Sequence, residues 1–373
     1  MIPAHIFEKT LLGFFAPIRP YLDDASVSEI MINGPDRIFV ERRGVVECTK
    51  SKFESREALV AALRNLSQYV GKPLTEHNPI LEGRMPDGSR VEAVMPPIAQ
   101  DGPHVAIRRF FEETLTVERL LEFDSLTRDA AAALRAFVVS KVNILVAGGT
   151  GSGKTSMLNA LSGFIPDGER VIVIEDSREV QFQKPHIVQL EARPADSKGR
   201  GAISIRDLFR ATLRMRPDRI VVGEIRGGEA LDIVQAMTSG HGGCMGTLHA
   251  TYPRDTLTRL ETMAMMSDVE MPLPAMRAQI GSGVQVIVQV ARLQDGSRKV
   301  THISEVVGFD VASQRYEVHD LFVRHYGGVT KDNRVVSKLV ATGIAPTCRA
   351  QIEAHGERLP AVMFGKGMDR AAE

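Results

Sequence analysis

Apolar residues in the first part of the chain follow two different spacings. Four short runs have the alternation and the β-branched content that favour strands, at 27–32, 37–41, 90–95 and 105–110. Between the second and third runs, leucines recur every three or four residues and predict a helix over 55–70. Residues 1–115 are therefore predicted to form an α+β domain.

From residue 126 onwards, apolar runs alternate with segments of helical spacing. Four of these runs are predicted as strands, at 142–147, 171–174, 220–222 and 245–248. Helical spacing occurs between and around them, at 126–140, 154–163, 205–215 and 228–239. Because parallel strands need helical crossovers, this alternation predicts an α/β fold with a mainly parallel sheet and helices on both faces.

The pattern changes after Pro253. Five further segments are predicted there: helices at 256–266 and 276–280, and antiparallel strands at 285–292, 302–309 and 315–320. One short helix with loops is expected within 339–364, and a disordered tail after it.

Residues 112–125 connect the two parts of the chain. Their charge and leucine content predict a short helix rather than a flexible tether, and they are a natural place for a hinge. The predicted division is an N-terminal domain at 1–115, a linker at 116–125 and a C-terminal domain at 126–373.

Composition narrows the possible classes of protein. Apolar residues make up 43% of the chain, enough for a sizeable core, and 46 basic residues balance 46 acidic ones, which argues against a dedicated nucleic-acid binder. Cys48, Cys244 and Cys348 lack the spacing of disulfide or zinc sites and are expected to be structural thiols in a reducing compartment. No apolar run approaches ~18 residues, so a cytoplasmic protein is expected, with membrane contact only through partners.

The strongest chemical signal is the octet GGTGSGKT at 148–155. Its glycines allow backbone N–H groups to converge on one point, and the following helix adds its positive N-terminal end. Lys154 is expected to reach the outer phosphates of a nucleoside triphosphate, and the Thr155 hydroxyl to bind Mg²⁺. The predicted nucleotide-binding residues are Gly148, Gly149, Thr150, Gly151, Ser152, Gly153, Lys154, Thr155 and Ser156.

Carboxylates follow two of the predicted strands. Glu224 ends the run that begins at Arg219, where a carboxylate can orient the attacking water or hold a water bound to Mg²⁺. Glu175 follows the strand at 171–174 and is a second candidate for activating water, whereas Asp176 is expected to act as a cap. The alternative for each is a solvated acid at a strand end.

Histidines and arginines complete the candidate residues. His241 and His249 flank the glycine-rich strand at 245–248, where a histidine can donate to a phosphate oxygen. Metal binding is the competing interpretation, but no Cys or carboxylate spacing supports it. Arg90 and Arg108 lie in strands of the first domain and are candidates to neutralise the charge that develops on the γ-phosphate. The alternative for the arginines is ordinary surface pairing.

These motifs, in this order, resemble the secretion-ATPase superfamily of type II and type IV secretion and type IV pili. The resemblance rests on GGTGSGKT at 148–155, VIVIED at 171–176, LRMRPDRIVVGEIRG at 213–227 and GHGGCMGTLHAT at 240–251. Longer strings are similar to the CpaF (TadA) subfamily of tight-adherence (Flp) pili: VSEIMINGPDRIFVERRG at 27–44, DGSRVEAVMPP at 87–97 and KLVATGIAPT at 338–347.

The resemblance implies a homo-hexameric ring of two-lobed subunits, in which ATP lies between the N-terminal lobe and a RecA-like C-terminal lobe. It implies catalytic roles for Lys154, Thr155, Glu175, Glu224 and His249. It also implies that Arg90 and Arg108 of the N-terminal lobe contact the nucleotide or act across the subunit interface. No Asp precedes Gly223–Glu224, which leaves Thr155 and water as the Mg²⁺ ligands. The ring would move an inner-membrane platform protein.

Three other functions remain open on the sequence. A RecA-like hexamer can also be a nucleic-acid motor, although the balanced charge argues against one. A catalytically inactive scaffold would hardly retain Lys154, Glu175 and Glu224 together. A small-molecule kinase should be monomeric or dimeric, so a mass measurement with nucleotide would distinguish it from a ring.

Overall fold

The computed structural model of this chain describes four stretches of residues: 10–42, 44–110, 115–195 and 199–365. The chain divides into two compact units, Met1–Glu113 and Thr114–Glu373. No helix within the described stretches is long and apolar enough to cross a membrane.

The first unit is built on one antiparallel sheet of six strands in the order β3-β2-β1-β6-β5-β4. Its strands are β1 (Val27–Asn33), β2 (Ile38–Arg42), β3 (Val45–Cys48), β4 (Ile80–Arg84), β5 (Arg90–Val94) and β6 (His104–Arg108). The sequence did not predict β3 and β4. They are the two edge strands, and β3 is exposed along its whole length, so the burial alternation that marks a strand is absent there.

In the first unit, helix α1 (Arg19–Leu22) precedes β1, and helix α2 (Arg56–Val70) follows β3. The side chain of Ser55 accepts the N–H of Ala58 at the start of α2, and Gly71, with a φ of 72°, ends it. The leucines that predicted α2 are buried in one core with alternate residues of the sheet. The helix is therefore held by its apolar face.

The second unit contains a nine-stranded sheet in the order β15-β14-β13-β12-β7-β11-β10-β8-β9. Its strands are β7 (Ile144–Gly148), β8 (Val171–Glu175), β9 (Ile187–Glu191), β10 (Arg219–Val222), β11 (Met245–Leu248), β12 (Val286–Arg292), β13 (Arg298–Asp310), β14 (Arg315–Val329) and β15 (Val335–Ala341). The six strands from β12 to β9 pair in parallel, and β12 to β15 continue as antiparallel pairs.

Three features of this sheet differ from the prediction. β12 was expected to be an antiparallel addition, but it pairs in parallel with β7 and only its other edge is antiparallel. The edge strands β9 and β15 were not predicted, and β15 extends into a segment expected to hold only a short helix and loops. Edge strands are partly exposed, and their apolar pattern is correspondingly weak.

Helices cover both faces of this sheet. They are α3 (Val117–Glu122), α4 (Arg128–Val139), α5 (Lys154–Ser162), α6 (Ile205–Thr212), α7 (Glu229–Thr238), α8 (Pro253–Ala264), α9 (Leu273–Gly283) and α10 (Arg349–Ala354). In β7, Ile144 and Val146 face the core that contains α4 and α5, whereas Leu145 and Ala147 face the core that contains α6 to α9. Burial of both strand faces explains why this strand is a continuous apolar run.

Residues predicted as the linker pack within the second unit. Val117 and Leu120 of α3 are buried in the same core as α4 and α5. After α3, the backbone carbonyl of Ser125 accepts the N–H of Val300 at 3.1 Å. Residues 117–125 are thus attached to the C-terminal unit.

The three cysteines occupy different environments. Cys244 is buried, and burial raises the pKa of its thiol to about 12. Burial also raises the pKa of Cys348 to about 12. Both fit the expected structural role, whereas Cys48 is exposed on the edge strand β3 and does not.

Candidate active site

The octet at 148–155 joins the end of β7 to the start of α5. Gly151 and Gly153 have φ angles of 68° and 93°, which side chains rarely tolerate. A Cβ on Gly148 would lie 2.4 Å from Ser152 Oγ and 2.5 Å from the carbonyl of Val290 on β12. The glycines therefore serve two purposes, a left-handed backbone and close packing against the neighbouring strand.

The loop presents donors around the first turn of α5. The N–H groups of Lys154, Thr155 and Ser156 occupy the first helical positions, which have no carbonyl partner within a helix and favour an anion. Lys154 Nζ donates to the carbonyl of Gly149 at 3.1 Å, and Ser152 Oγ donates to the same oxygen at 2.8 Å. This arrangement suits the phosphates of a nucleotide.

Parallel pairing brings the other candidates to the same edge of the sheet. β7, β11, β10 and β8 are neighbours in register, so the residues after each strand emerge side by side. These are the loop at 148–155, His249, Gly223 with Glu224, and Glu175 at the end of β8. The carboxyl edge of a parallel sheet is the usual place for a ligand site.

Glu224 is half-buried and has two distinct carboxylate oxygens. Oε2 accepts a hydrogen bond from Arg226 Nε at 2.9 Å. Oε1 lies 2.7 Å from His249 Nε2, but this contact lacks hydrogen-bond geometry, and the buried Oε1 has no hydrogen-bond partner among the described residues. A buried carboxylate oxygen of this kind can accept a proton from, or orient, a water molecule.

Opposing influences act on the charge of Glu224. Burial raises the pKa of its carboxyl, but the hydrogen bond from Arg226 and the charges of Arg226, Lys154 and, when it is protonated, His249 lower it further than burial raises it. Glu224 is therefore ionised at neutral pH, with a pKa below its usual range. An ionised carboxylate is the form that can act as a base.

His249 lies beside both Lys154 of the phosphate loop and the carboxylate of Glu224. Lys154 Nζ is 3.4 Å from His249 Nδ1 and 3.5 Å from His249 Nε2, and Glu224 Oε1 is 2.7 Å from Nε2. Burial and the nearby charge of Lys154 lower the pKa of His249, with Glu224 opposing them. The imidazole is therefore neutral near pH 7 and available to donate or accept a single hydrogen bond.

Glu175 occupies a more enclosed position. Its side chain is 4% exposed, and its Oε1 accepts the N–H groups of Glu179 and Val180, both at 2.9 Å. Burial raises the pKa of Glu175 to about 7, against the effect of these two hydrogen bonds. A Cβ on Gly223 would lie 2.6 Å from Glu175 Cγ, so Glu175 packs directly against the backbone that carries Glu224.

Two candidates from the sequence are placed differently. No described helix begins at Asp176, so it does not cap a helix, and its carboxylate lies 3.4 Å from Arg226 Nη1. His241 precedes β11, at the opposite end of that strand from His249, so it is not part of the site. Its position follows from strand direction, which the sequence motif alone does not show.

Arg90 and Arg108 are direct partners across β5 and β6. Arg84 is paired with Arg90 on the other side, so three arginines form a row across β4, β5 and β6. Arg90 Nη2 donates to Glu82 Oε1 at 2.9 Å, and Arg108 is exposed. Arg84 was not a candidate from the sequence because β4 was not predicted.

The site fits a metal held mainly by a nucleotide rather than by the protein. No cluster of three or more His, Cys, Asp or Glu that could bind a metal occurs in the described parts of the chain. Thr155, half-buried in the first turn of α5, offers one hydroxyl. Mg²⁺ typically keeps several waters and binds few protein groups together with substrate phosphates, and these residues fit that pattern.

Comparison with known proteins connects this geometry with a family. Residues 14–335 match the family described as type II/IV secretion system protein. A putative conjugal transfer protein of Mycobacterium tuberculosis is 32% identical over 293 residues, covering 77% of this chain and 83% of that protein. The conjugal transfer protein TrbB of Rhizobium radiobacter is 32% identical over 321 residues, covering 84% of this chain and 92% of TrbB.

Among solved structures, the pilus retraction motor PilT with bound ADP is similar, with a TM-score of 0.55. It is 19% identical, over 91% of this chain and 86% of PilT. The likeness confirms the predicted RecA-like core with a smaller N-terminal domain. The matched region includes the phosphate loop and the carboxylates beside it. The chain is therefore an ATPase of the type II/IV secretion system protein family.

Proposed function

We propose that this ATPase is a homo-hexameric motor that uses ATP and Mg²⁺ to move an inner-membrane platform protein. The process it drives is assembly or retraction of a type IV pilus of the tight-adherence (Flp) type, or type II/IV secretion. The observation that carries the catalytic part is the buried Glu224 Oε1, which has no hydrogen-bond partner among the described residues and lies beside His249 and Lys154.

The proposed division of roles follows from the charges at the site. Lys154 neutralises the outer phosphates, and Glu224 orients and deprotonates the attacking water through Oε1. His249 stays neutral and donates to a phosphate or water oxygen. Glu175, with a pKa of about 7, assists at the same sheet edge. Thr155 and water would hold Mg²⁺, which when bound would supply charge stabilisation for the transferred phosphoryl group.

Arg90 and Arg108 have a proposed role in neutralising phosphate charge, within one subunit or across the ring. Their cross-strand pairing concentrates positive charge on one sheet. Arg90→Ala and Arg108→Ala should each lower kcat for ATP by roughly tenfold or more while leaving the fold intact, because arginine contacts act mainly on the transition state. Full turnover in both variants would remove these residues from the mechanism.

The proposed pilus system rests on the subfamily strings at 27–44, 87–97 and 338–347. The ring is proposed to work at the cytoplasmic side of the inner membrane, in contact with the membrane through its partners. The names of the relatives, conjugal transfer proteins and a pilus motor, fit a machine of this general kind.

Two measurements test the proposal. Glu224→Gln keeps the size of the side chain but removes the base, so ATP turnover should fall by about 10²-fold or more, while ADP affinity is retained. Glu317→Gln, at an exposed position on β14, is the control and should turn over normally. Unchanged turnover in Glu224→Gln would contradict the assignment.

The second measurement is mass photometry with a non-hydrolysable ATP analogue. Particles of six times the 40.9 kDa chain mass are expected. Monomers or dimers at all concentrations would argue for a different class of enzyme, and turnover stimulated by single-stranded DNA would favour the nucleic-acid motor.

A further inference from the structure

The geometry points to Arg298 as a positioning residue that links the phosphate loop to residues 123–125, the segment that follows α3 in the second unit. Arg298 is the first residue of β13 and lies 147 residues after the loop residue it contacts. The inference rests on the proposed role of the loop at 148–155 in nucleotide binding.

The first part of the link joins Arg298 to the loop. Its Nε donates to the carbonyl of Gly151 at 2.9 Å. A Cβ on Gly153 would lie 3.3 Å from Arg298 Cδ, so the side chain also packs over the loop. Gly151 and Gly153 are the two left-handed residues of the loop, and their peptide orientations decide where the N–H groups point.

The cross-strand partner of Arg298 is Arg292, at the end of β12. A Cβ on Gly151 would lie 3.7 Å from Arg292 Nη1, so a second guanidinium borders the loop. The ends of these two strands thus hold the loop from one side. A positive charge there also favours bound phosphate.

The second part of the link fixes the backbone of Arg298. Ser125 Oγ donates to the carbonyl of Arg298 at 2.5 Å, and the carbonyl of Ser125 accepts the N–H of Val300 at 3.1 Å. The next residue of β13 also takes part, since Lys299 Nζ donates to the carbonyl of Phe123 at 2.6 Å. Three successive residues of β13 are therefore attached to the segment 123–125.

Arg324 on β14 bonds to both β13 and the segment 123–125. Its side chain is 4% exposed, and its Nε donates to the carbonyl of Val300 at 2.7 Å. Its Nη2 donates to the carbonyls of Asp124 and Ser125, at 3.1 and 2.9 Å. A planar guanidinium that bonds to both segments at once makes them move as one body.

The consequence is a mechanical connection inside the second unit. A displacement of residues 123–125 carries the backbone of Arg298 with it, and the Arg298 side chain carries the carbonyl of Gly151. Linkage is reciprocal, so nucleotide that orders the loop also stabilises one position of the segment.

A double-mutant cycle on ADP affinity tests the link, with the full chain titrated by calorimetry. Arg298→Ala should weaken ADP binding about tenfold, as expected for loss of one charge-assisted hydrogen bond. Ser125→Ala, which removes no charge, should weaken it about threefold. In the Arg298→Ala background, Ser125→Ala should have no further effect. Arg315→Ala, at an exposed position on β14, is the control.

Each alternative gives a different result. If Arg298 acts only through its charge, Ser125→Ala leaves ADP affinity unchanged, which overturns the link. If both residues merely stabilise the fold, their effects multiply in the double variant and the melting temperature falls in parallel, which also overturns it. Failure of the unmodified chain to bind ADP would instead refute the proposed site itself, whereas binding that Arg298→Ala does not alter refutes the link alone.

Discussion

Glu175→Gln is the substitution whose effect on stability can be worked out most directly from the structure. Gln has almost the same volume, and its amide oxygen can still accept the N–H groups of Glu179 and Val180. Only the ability to ionise is lost. Glu175 is enclosed by β8 and by the Gly223 backbone. The difference in free energy of unfolding between the variant and the unmodified chain therefore measures the cost of ionising a buried carboxyl.

The pKa of Glu175 is about 7 in the folded chain, above the usual 4.5 that applies to the unfolded chain. A group with a raised folded pKa contributes stability that is fully present below the unfolded pKa and is lost as the pH rises through the folded pKa. Each pH unit in this window corresponds to about 1.4 kcal/mol. Ionised Glu175 therefore costs the folded state about 3 kcal/mol relative to its protonated form.

Urea unfolding without nucleotide, at about pH 5 and about pH 8, measures this cost. The free energy of unfolding of Glu175→Gln minus that of the unmodified chain should be larger at the higher pH than at the lower pH, by about 2–3 kcal/mol. Glu317→Gln, which changes an exposed carboxyl, should show no such gain. An equal difference at both pH values would refute the buried, protonated state of Glu175.

Three other predictions concern single positions in the second unit. Gly223→Ala would place a Cβ 2.6 Å from Glu175 Cγ, so steady-state assays should show at least about a tenfold loss of ATP turnover, with ADP binding retained in titrations. Asn143→Leu leaves three buried backbone groups of the second unit without their hydrogen bonds, and urea unfolding should show a loss of about 3 kcal/mol or more. Lys154→Ala should abolish detectable ADP binding by calorimetry, because it removes the charge that faces the outer phosphates, while the melting temperature without nucleotide changes little.

Much of the site could be predicted from the sequence because its chemistry is local. The octet at 148–155 is one strand end, one turn and one helix start, so its spacing already implies its geometry. Glu175 and Glu224 were predicted because each follows a strand that is buried on both faces and is therefore a continuous apolar run. The parallel arrangement of those strands then places them at one edge.

Other parts of the site depend on contacts between distant residues. Nothing in the motif around His241 distinguishes it from His249, yet the direction of β11 separates the two by the length of the strand. The row of Arg84, Arg90 and Arg108 appears only when β4 pairs with β5. No local signal marks Arg298, since its contact with Gly151 depends on the parallel pairing of β12 with β7.

The sequence by itself determined the class of fold and the presence of a phosphate-binding loop, because both follow from short-range patterns of apolar residues and glycines. Tertiary structure decided the edge strands, the parallel direction of β12 and the enclosure of Glu175. These depend on which surfaces meet and how much water they exclude, and the same residue types permit several such pairings. Burial raises the pKa of Glu175 to about 7, whereas nearby positive charges lower the pKa of Glu224 and keep it ionised. Both effects exist only in the folded molecule.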